Sequence, residues 1–179
     1  ELFRKDRRHL NTSSDPELLV NVLANELQGS SGGLELDPAQ VFQAVSRVHE
    51  RVEGSYASIA LIAGYGLLAF RDPFGIRPLI LGTRRAEDGH YEWVVASESL
   101  VLENAGFDVV RDVMPGEAVF IDLGGRLHTR QCAVDPKLVP CSFEYVYLAR
   151  PDSVMNGIAV YEARLRMGER LAATIAKYT

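Results

Sequence analysis

The sequence predicts an α+β fold on three observations. Helical periodicity is confined to the first third and to the C-terminal end. Between them lie short β-branched and aliphatic runs broken by Gly and Pro turns. Those runs do not alternate with helices in the manner of a parallel βαβ sheet. The 179 residues are 47% hydrophobic and 24% charged, close to the globular average, which excludes disordered and low-complexity classes. A chain of this length buries roughly 70% of its unfolded surface, enough for one core plus the start of another.

The first element opens at Ser14-Asp15-Pro16-Glu17, where a Ser hydroxyl and a Glu carboxylate have capping-box spacing, and Leu19, Val22, Leu23 and Leu27 follow at helical steps. Residues 28–33 read as a loop. Asp37-Pro38 starts a second helix striped by Val41, Val45, Val48 and Val52. Strands are predicted at 55–63, 67–72, 78–83 and 91–97, with Gly64-Tyr65-Gly66 as a hairpin turn and Asp72-Pro73-Phe74-Gly75 as a tight turn. A short helix at 98–104 ends in Gly106. Strands at 107–113, 117–123 and 126–133 follow, separated by Met114-Pro115-Gly116 and Gly124-Gly125. Two prolines mark 135–140 as a linker, 143–149 reads as a further strand, and a final helix from 159 to 178 spaces Val160, Ala163, Met167, Leu171 and Ile175 at three and four residues.

Nineteen Lys and Arg against 24 Asp and Glu give a net charge of −5, which argues against a general nucleic-acid binder. No apolar run reaches membrane-spanning length and the first residues lack a signal core, so a soluble, cytoplasmic protein is expected, with no membrane partner. Two cysteines suit a reducing compartment. His9, His49, His90 and His128 have no second ligand at metal spacing, and Cys132 and Cys141 form no Cys-x-x-Cys pair, so no metal site is expected and both thiols read as inert. No Walker loop, dinucleotide fingerprint or nucleophile elbow is present.

Three places could carry chemistry. Asp15 lies in the first turn of a helix, where the dipole favours a carboxylate; it is either a structural residue or a grip for a substrate ammonium group. Arg71-Asp72-Pro73-Phe74-Gly75-Ile76-Arg77-Pro78 is either a rigid surface turn or a preorganised wall of a binding site, and Arg150-Pro151-Asp152-Ser153 invites the same pair of readings.

Residues 11–17 (Asn-Thr-Ser-Ser-Asp-Pro-Glu) resemble the Ser-Asp-x-Glu segment of the class II glutamine amidotransferases, whose glutaminase domain belongs to the N-terminal-nucleophile hydrolases. Arg71 to Pro78 is similar to their Arg-Asp-Pro-x-Gly-Ile-Arg-Pro turn, and Ala96-Ser97-Glu98 to their Ala-Ser-Glu segment. Phe143 to Ser153 resembles the more specific segment that opens the transferase half of the amidophosphoribosyltransferase branch. The resemblance implies a four-layer αββα sandwich, incomplete here. It divides the chain into the later part of a glutaminase domain (1–133), a linker (134–142) and the first strand and helix of a phosphoribosyltransferase domain (143–179).

The implied activity is glutamine hydrolysis by an N-terminal cysteine, with the ammonia passed to 5-phosphoribosyl 1-diphosphate to give 5-phosphoribosylamine at the first committed step of purine synthesis. The implied substrate residue is Asp15, on the α-ammonium of glutamine. No catalytic residue is implied within the chain: Glu1 stands first, neither cysteine can be the nucleophile, and the chain is expected to be an internal, inactive portion of a homo-oligomeric enzyme. Magnesium is expected only at a transferase site outside this chain. Cys141 matches a cluster-ligand position in some members, but its surroundings resemble the cluster-free branch, so no iron-sulfur cluster is expected. Glucosamine phosphate or asparagine synthesis, and a non-catalytic relative, are the alternative readings.

Overall fold

The computed structural model describes residues 10–30 and 36–178. The loop predicted at 28–33 and His9 therefore lie partly or wholly outside the described residues. Helix α1 spans Asp15–Ser30 and α2 Pro38–Arg51. Strands β1 (Ala57–Ile62), β2 (Gly66–Arg71), β6 (Glu117–Asp122) and β7 (Leu127–Gln131) form one antiparallel sheet in the order β1-β2-β6-β7. Strands β3 (Ile80–Arg85), β4 (Tyr91–Ala96) and β5 (Asp108–Asp112) form a second in the order β4-β3-β5. The α+β class with antiparallel sheets is as the sequence predicts.

Alternation decides what each sheet face meets. Leu68, Phe70, Ala118 and Phe120 point from the first sheet to Val22 and Leu23 of α1 and to Val41, Phe42, Val45 and Val48 of α2. Each fully buried valine of that stripe contributes roughly 1.5–3 kcal/mol. The intervening residues Ala69 and Val119 point the other way, to Leu81 of the second sheet and to Leu79 and Val113 beside its strands. Helix α3 (Ser99–Asn104) crosses the second sheet where Gly82 has no side chain: a Cβ there would sit 3.1 Å from Leu102 Cδ1.

Helix starts follow the chemistry of their caps. Asp37 accepts the Gln40 amide at 2.8 Å while Gln40 Oε1 accepts the Asp37 amide at 2.9 Å, with Pro38 in the first turn. The box expected at Ser14 takes another form. Glu17 reaches past Ser14 to accept the Asn11 and Thr12 amides, each at 2.7 Å, and the Ser14 hydroxyl pairs with Thr12. These bonds, the Thr12 hydroxyl first, hold the Glu17 carboxyl below its usual range.

Two further expectations are corrected. Residues 143–149 are not a strand: Glu144–Leu148 form one wide helical turn, with the Ala149 amide donating to Glu144 O at 2.9 Å. Tyr145 and Ala149, four apart, are the buried apolar residues, and Arg164 donates to both their carbonyls at 2.7 Å, satisfying groups that a strand would have offered to a sheet. The segment also lies beside a two-residue hairpin, β8 (Val154–Met155) and β9 (Ile158–Ala159), that leads into α4 (Val160–Ile175). The apolar stripe predicted on α4 exists, but only Val160 is buried; Met167, Leu171 and Ile175 are 41%, 61% and 52% exposed. Tyr145, Ala149, Met155 and Val160 form a small core of their own. The proline-bearing stretch before it is held along the 72–77 turn, with the Lys137, Val139 and Cys141 amides donating to the carbonyls of Pro73, Phe74 and Ile76.

Candidate functional site

A cleft of about 910 Å³ opens between the start of α1, the chain leading into β1, and a wall made of Arg77, Pro78, Glu98, Glu144 and Leu148. Asp15, the first residue of α1, lines it. Because Glu17 takes the capping work, the Asp15 carboxylate is left exposed at the helix N-terminus, and none of the described residues hydrogen-bonds it. Asp15, Glu53, Glu98 and Glu144 face one guanidinium, Arg77, in the lining, and Arg77 is paired with Glu144 at 2.6 Å. Such a cleft suits a ligand carrying an ammonium group.

The wall is built from the 71–78 motif. The buried Asp72 carboxylate accepts the amides of Phe74 (2.9 Å), Ile76 (3.1 Å) and Tyr56 (3.3 Å), and the Gly75 amide donates to Asp72 O at 3.0 Å. Gly75 has φ +57°, and a Cβ there would meet Pro115 Cγ at 2.9 Å and Arg71 Cζ at 3.1 Å, so the turn needs glycine. Arg71, 1% exposed, donates to the carbonyls of Arg77 (2.6 Å), Gly75 (2.7 Å) and Val113 (2.8 Å). Burial pulls its guanidinium down from the ordinary range, and Asp112, Asp72 and Tyr145 oppose the shift. Arg77 and Pro78 of this motif line the cleft.

Behind Tyr56, His49 stacks at 5.9 Å, with Nδ1 2.8 Å from the Tyr56 hydroxyl and Nε2 3.2 Å from Gly116 O. A carbonyl only accepts, so Nε2 carries the proton and Nδ1 accepts from the phenol. Burial holds His49 below its ordinary value and pushes the Tyr56 phenol up. His90 and His128 pair with Asp88 and Asp122. Among the described residues no three His, Cys, Asp or Glu side chains cluster as metal ligands. Cys132 is buried, its Sγ 3.5 Å from Phe42 O, and burial raises its thiol, the opposite of an activated nucleophile. Cys141 is a free thiol on the stretch held along the 72–77 turn.

Sequence reasoning missed Asn156, which joins the wall from behind; the signal was Asn156-Gly157, the dipeptide that favours a two-residue hairpin, with φ +49° and +72°. It also missed how the separate motifs meet. Glu98 accepts the Arg150 amide (2.9 Å) and the Ser153 hydroxyl (2.6 Å), Ser99 Oγ accepts the Val154 amide (3.0 Å), and Arg77 meets Glu144.

No protein-family model matches the chain. It is 53% identical over 177 residues to amidophosphoribosyltransferase of Pasteurella multocida, covering 99% of this chain and 35% of that protein. It is 44% identical over 173 residues to the enzyme of the same name from Saccharomyces cerevisiae, covering 95% and 34%. Among solved structures, the glutamine phosphoribosylpyrophosphate amidotransferase from B. subtilis, complexed with ADP and GMP, aligns with a TM-score of 0.76 and 29% identity over 96% of this chain and 34% of that one. The chain thus spans about a third of the length of the relatives it matches.

Proposed function

We propose, on the premise that this chain belongs to the amidophosphoribosyltransferase family across the third of the enzyme that it spans, that it supplies the amide-donor side of an enzyme making 5-phosphoribosylamine from glutamine and 5-phosphoribosyl 1-diphosphate. The observation that carries the proposal is the 53% identity over 99% of the chain. The relatives bear the name of the phosphoribosyl branch, which favours it over glucosamine phosphate or asparagine synthesis.

In this reading residues 1–133 are the later part of the glutaminase domain, built on a four-layer αββα sandwich of the N-terminal-nucleophile type. Residues 134–142 connect it to the start of the transferase domain at 143–179. The helices on the first sheet and α3 on the second are in keeping with that arrangement. Asp15 holds the α-ammonium of glutamine in the cleft, placing the side-chain amide for attack by a cysteine that is neither Cys132 nor Cys141. The ammonia released then meets the phosphoribosyl donor. Magnesium belongs to the transferase site; the described residues form no such cluster, and no step here passes through it. The working enzyme is a homo-oligomer in the same reading. No helix among the described residues is long and apolar enough to cross a membrane.

The test is Asp15→Asn in an enzyme of the relatives' full length carrying this sequence. Losing a charge-assisted contact raises the glutamine requirement roughly ten- to a hundredfold while synthesis from added ammonia survives. Equal loss of both activities would assign Asp15 to the helix start instead.

A further inference from the structure

Four hydrogen bonds and one stretch of backbone close a ring behind the cleft wall. Arg71 Nε donates to Arg77 O (2.6 Å), and Arg77 Nη1 donates to Glu144 Oε1 (2.6 Å). Glu144 is followed in the same helical turn by Tyr145, whose hydroxyl accepts from Asn156 Nδ2 (3.2 Å). Asn156 Oδ1 accepts from Arg71 Nη1 (3.2 Å) and completes the circuit. One side contact pins Asn156 and another pins Tyr145: the Asn156 amide donates to Asp112 Oδ1 (3.0 Å), and the Tyr145 hydroxyl donates to Met155 O (3.2 Å).

The front of this ring, Arg77 and Glu144, lines the cleft, whereas the back, Asn156, does not. Arg71 is fixed on three carbonyls and cannot adjust; the 144–148 turn, which carries Glu144 and Leu148 into the cleft, has no sheet partner. Besides the Arg77–Glu144 pair and the contacts at Glu98 and Ser99, the bridge through Asn156, placed by a two-residue hairpin, ties that turn to the fixed Arg71 guanidinium.

We infer that Asn156 is a positioning residue for the amide-donor cleft, holding the Arg77–Glu144 wall at the spacing that glutamine requires. The inference rests on the proposed function of the cleft and adds to it a residue outside the cleft. Asn156→Gly deletes the side chain while keeping a residue that accepts positive φ, and Tyr145→Phe removes the same bridge from its other end without changing volume.

In a full-length enzyme carrying this sequence, both variants are expected to raise the KM for glutamine roughly fivefold or more. They should leave glutamine kcat and ammonia-driven synthesis within about twofold of the parent, a split that general loss of folded protein does not produce. An unchanged glutamine KM in both variants, or parallel loss of glutamine- and ammonia-driven synthesis, overturns the assignment to Asn156 while leaving the functional reading standing. A parent enzyme that releases no glutamate from glutamine overturns the functional reading, and the assignment with it.

Discussion

The two-sheet body and the unit from 144 to 175 are fastened by different physics. In the body, α1 and α2 close over one face of the first sheet and the second sheet over the other, through two clusters of buried aliphatic and aromatic residues. The 144–175 unit keeps a separate small core and meets the body through polar contacts at Arg71, Arg77, Glu98, Ser99 and Asp112. Apolar burial is nearly indifferent to direction, while hydrogen bonds to buried charges fix distance and angle. The body therefore carries the stability, and the seam carries the geometry of the cleft wall, as expected where two units of one chain meet.

The largest expected effect lies in the body. Phe70→Ala removes a fully buried ring beneath the helices and should cost about 3–5 kcal/mol in urea denaturation; a loss below about 1 kcal/mol would mean that the helical layer is not fastened there. The seam should respond locally. Glu98→Ala strands the buried Ser153 hydroxyl at a cost of about 1–3 kcal/mol and leaves the Arg150 amide to water. Hydrogen exchange should quicken in α4 and not in β2 or β6; equal quickening would erase the distinction between the two regions.

The smallest effect sharpens the body's side, where His49 is a buried titrating group. Its folded value lies below the ordinary 6.5, so below that pH the unfolded chain takes up a proton that the fold refuses. Stability then falls with falling pH, by at most ~1.4 kcal/mol per pH unit, until the folded value is reached. His49→Gln should flatten that slope in denaturation series between pH 7 and 5; an unchanged slope would place the pH dependence elsewhere.

The body was largely legible from sequence. The apolar runs in Leu67–Arg71 and Glu117–Asp122, bracketed by glycine turns, mark strands, and both of their faces are buried. Which strands share a sheet was not legible, since β2 skips three strands to pair with β6. Phe143 to Ala149 has strong strand propensity, yet its buried positions are Glu144, Tyr145 and Ala149 and not alternate residues, and tertiary context prevailed over propensity. Asp15 could be placed at a helix start, and in the fold that helix start lines the cleft. The ring could not be foreseen, because Arg71 and Asn156 are 85 residues apart and no local pattern links them.

The three backbone hydrogen bonds that hold 137–141 along the 72–77 turn end at Cys141, whose carbonyl in turn accepts the Glu144 amide. The seam is thus approached by a chain on a very short leash. When its polar contacts break, the 144–148 turn stays within a few residues' reach of Arg77, at an effective concentration far above that of a free partner. Opening of the wall is then a brief, self-correcting excursion about one point, and the cost of a weakened contact shows in how often the wall opens more than in how far.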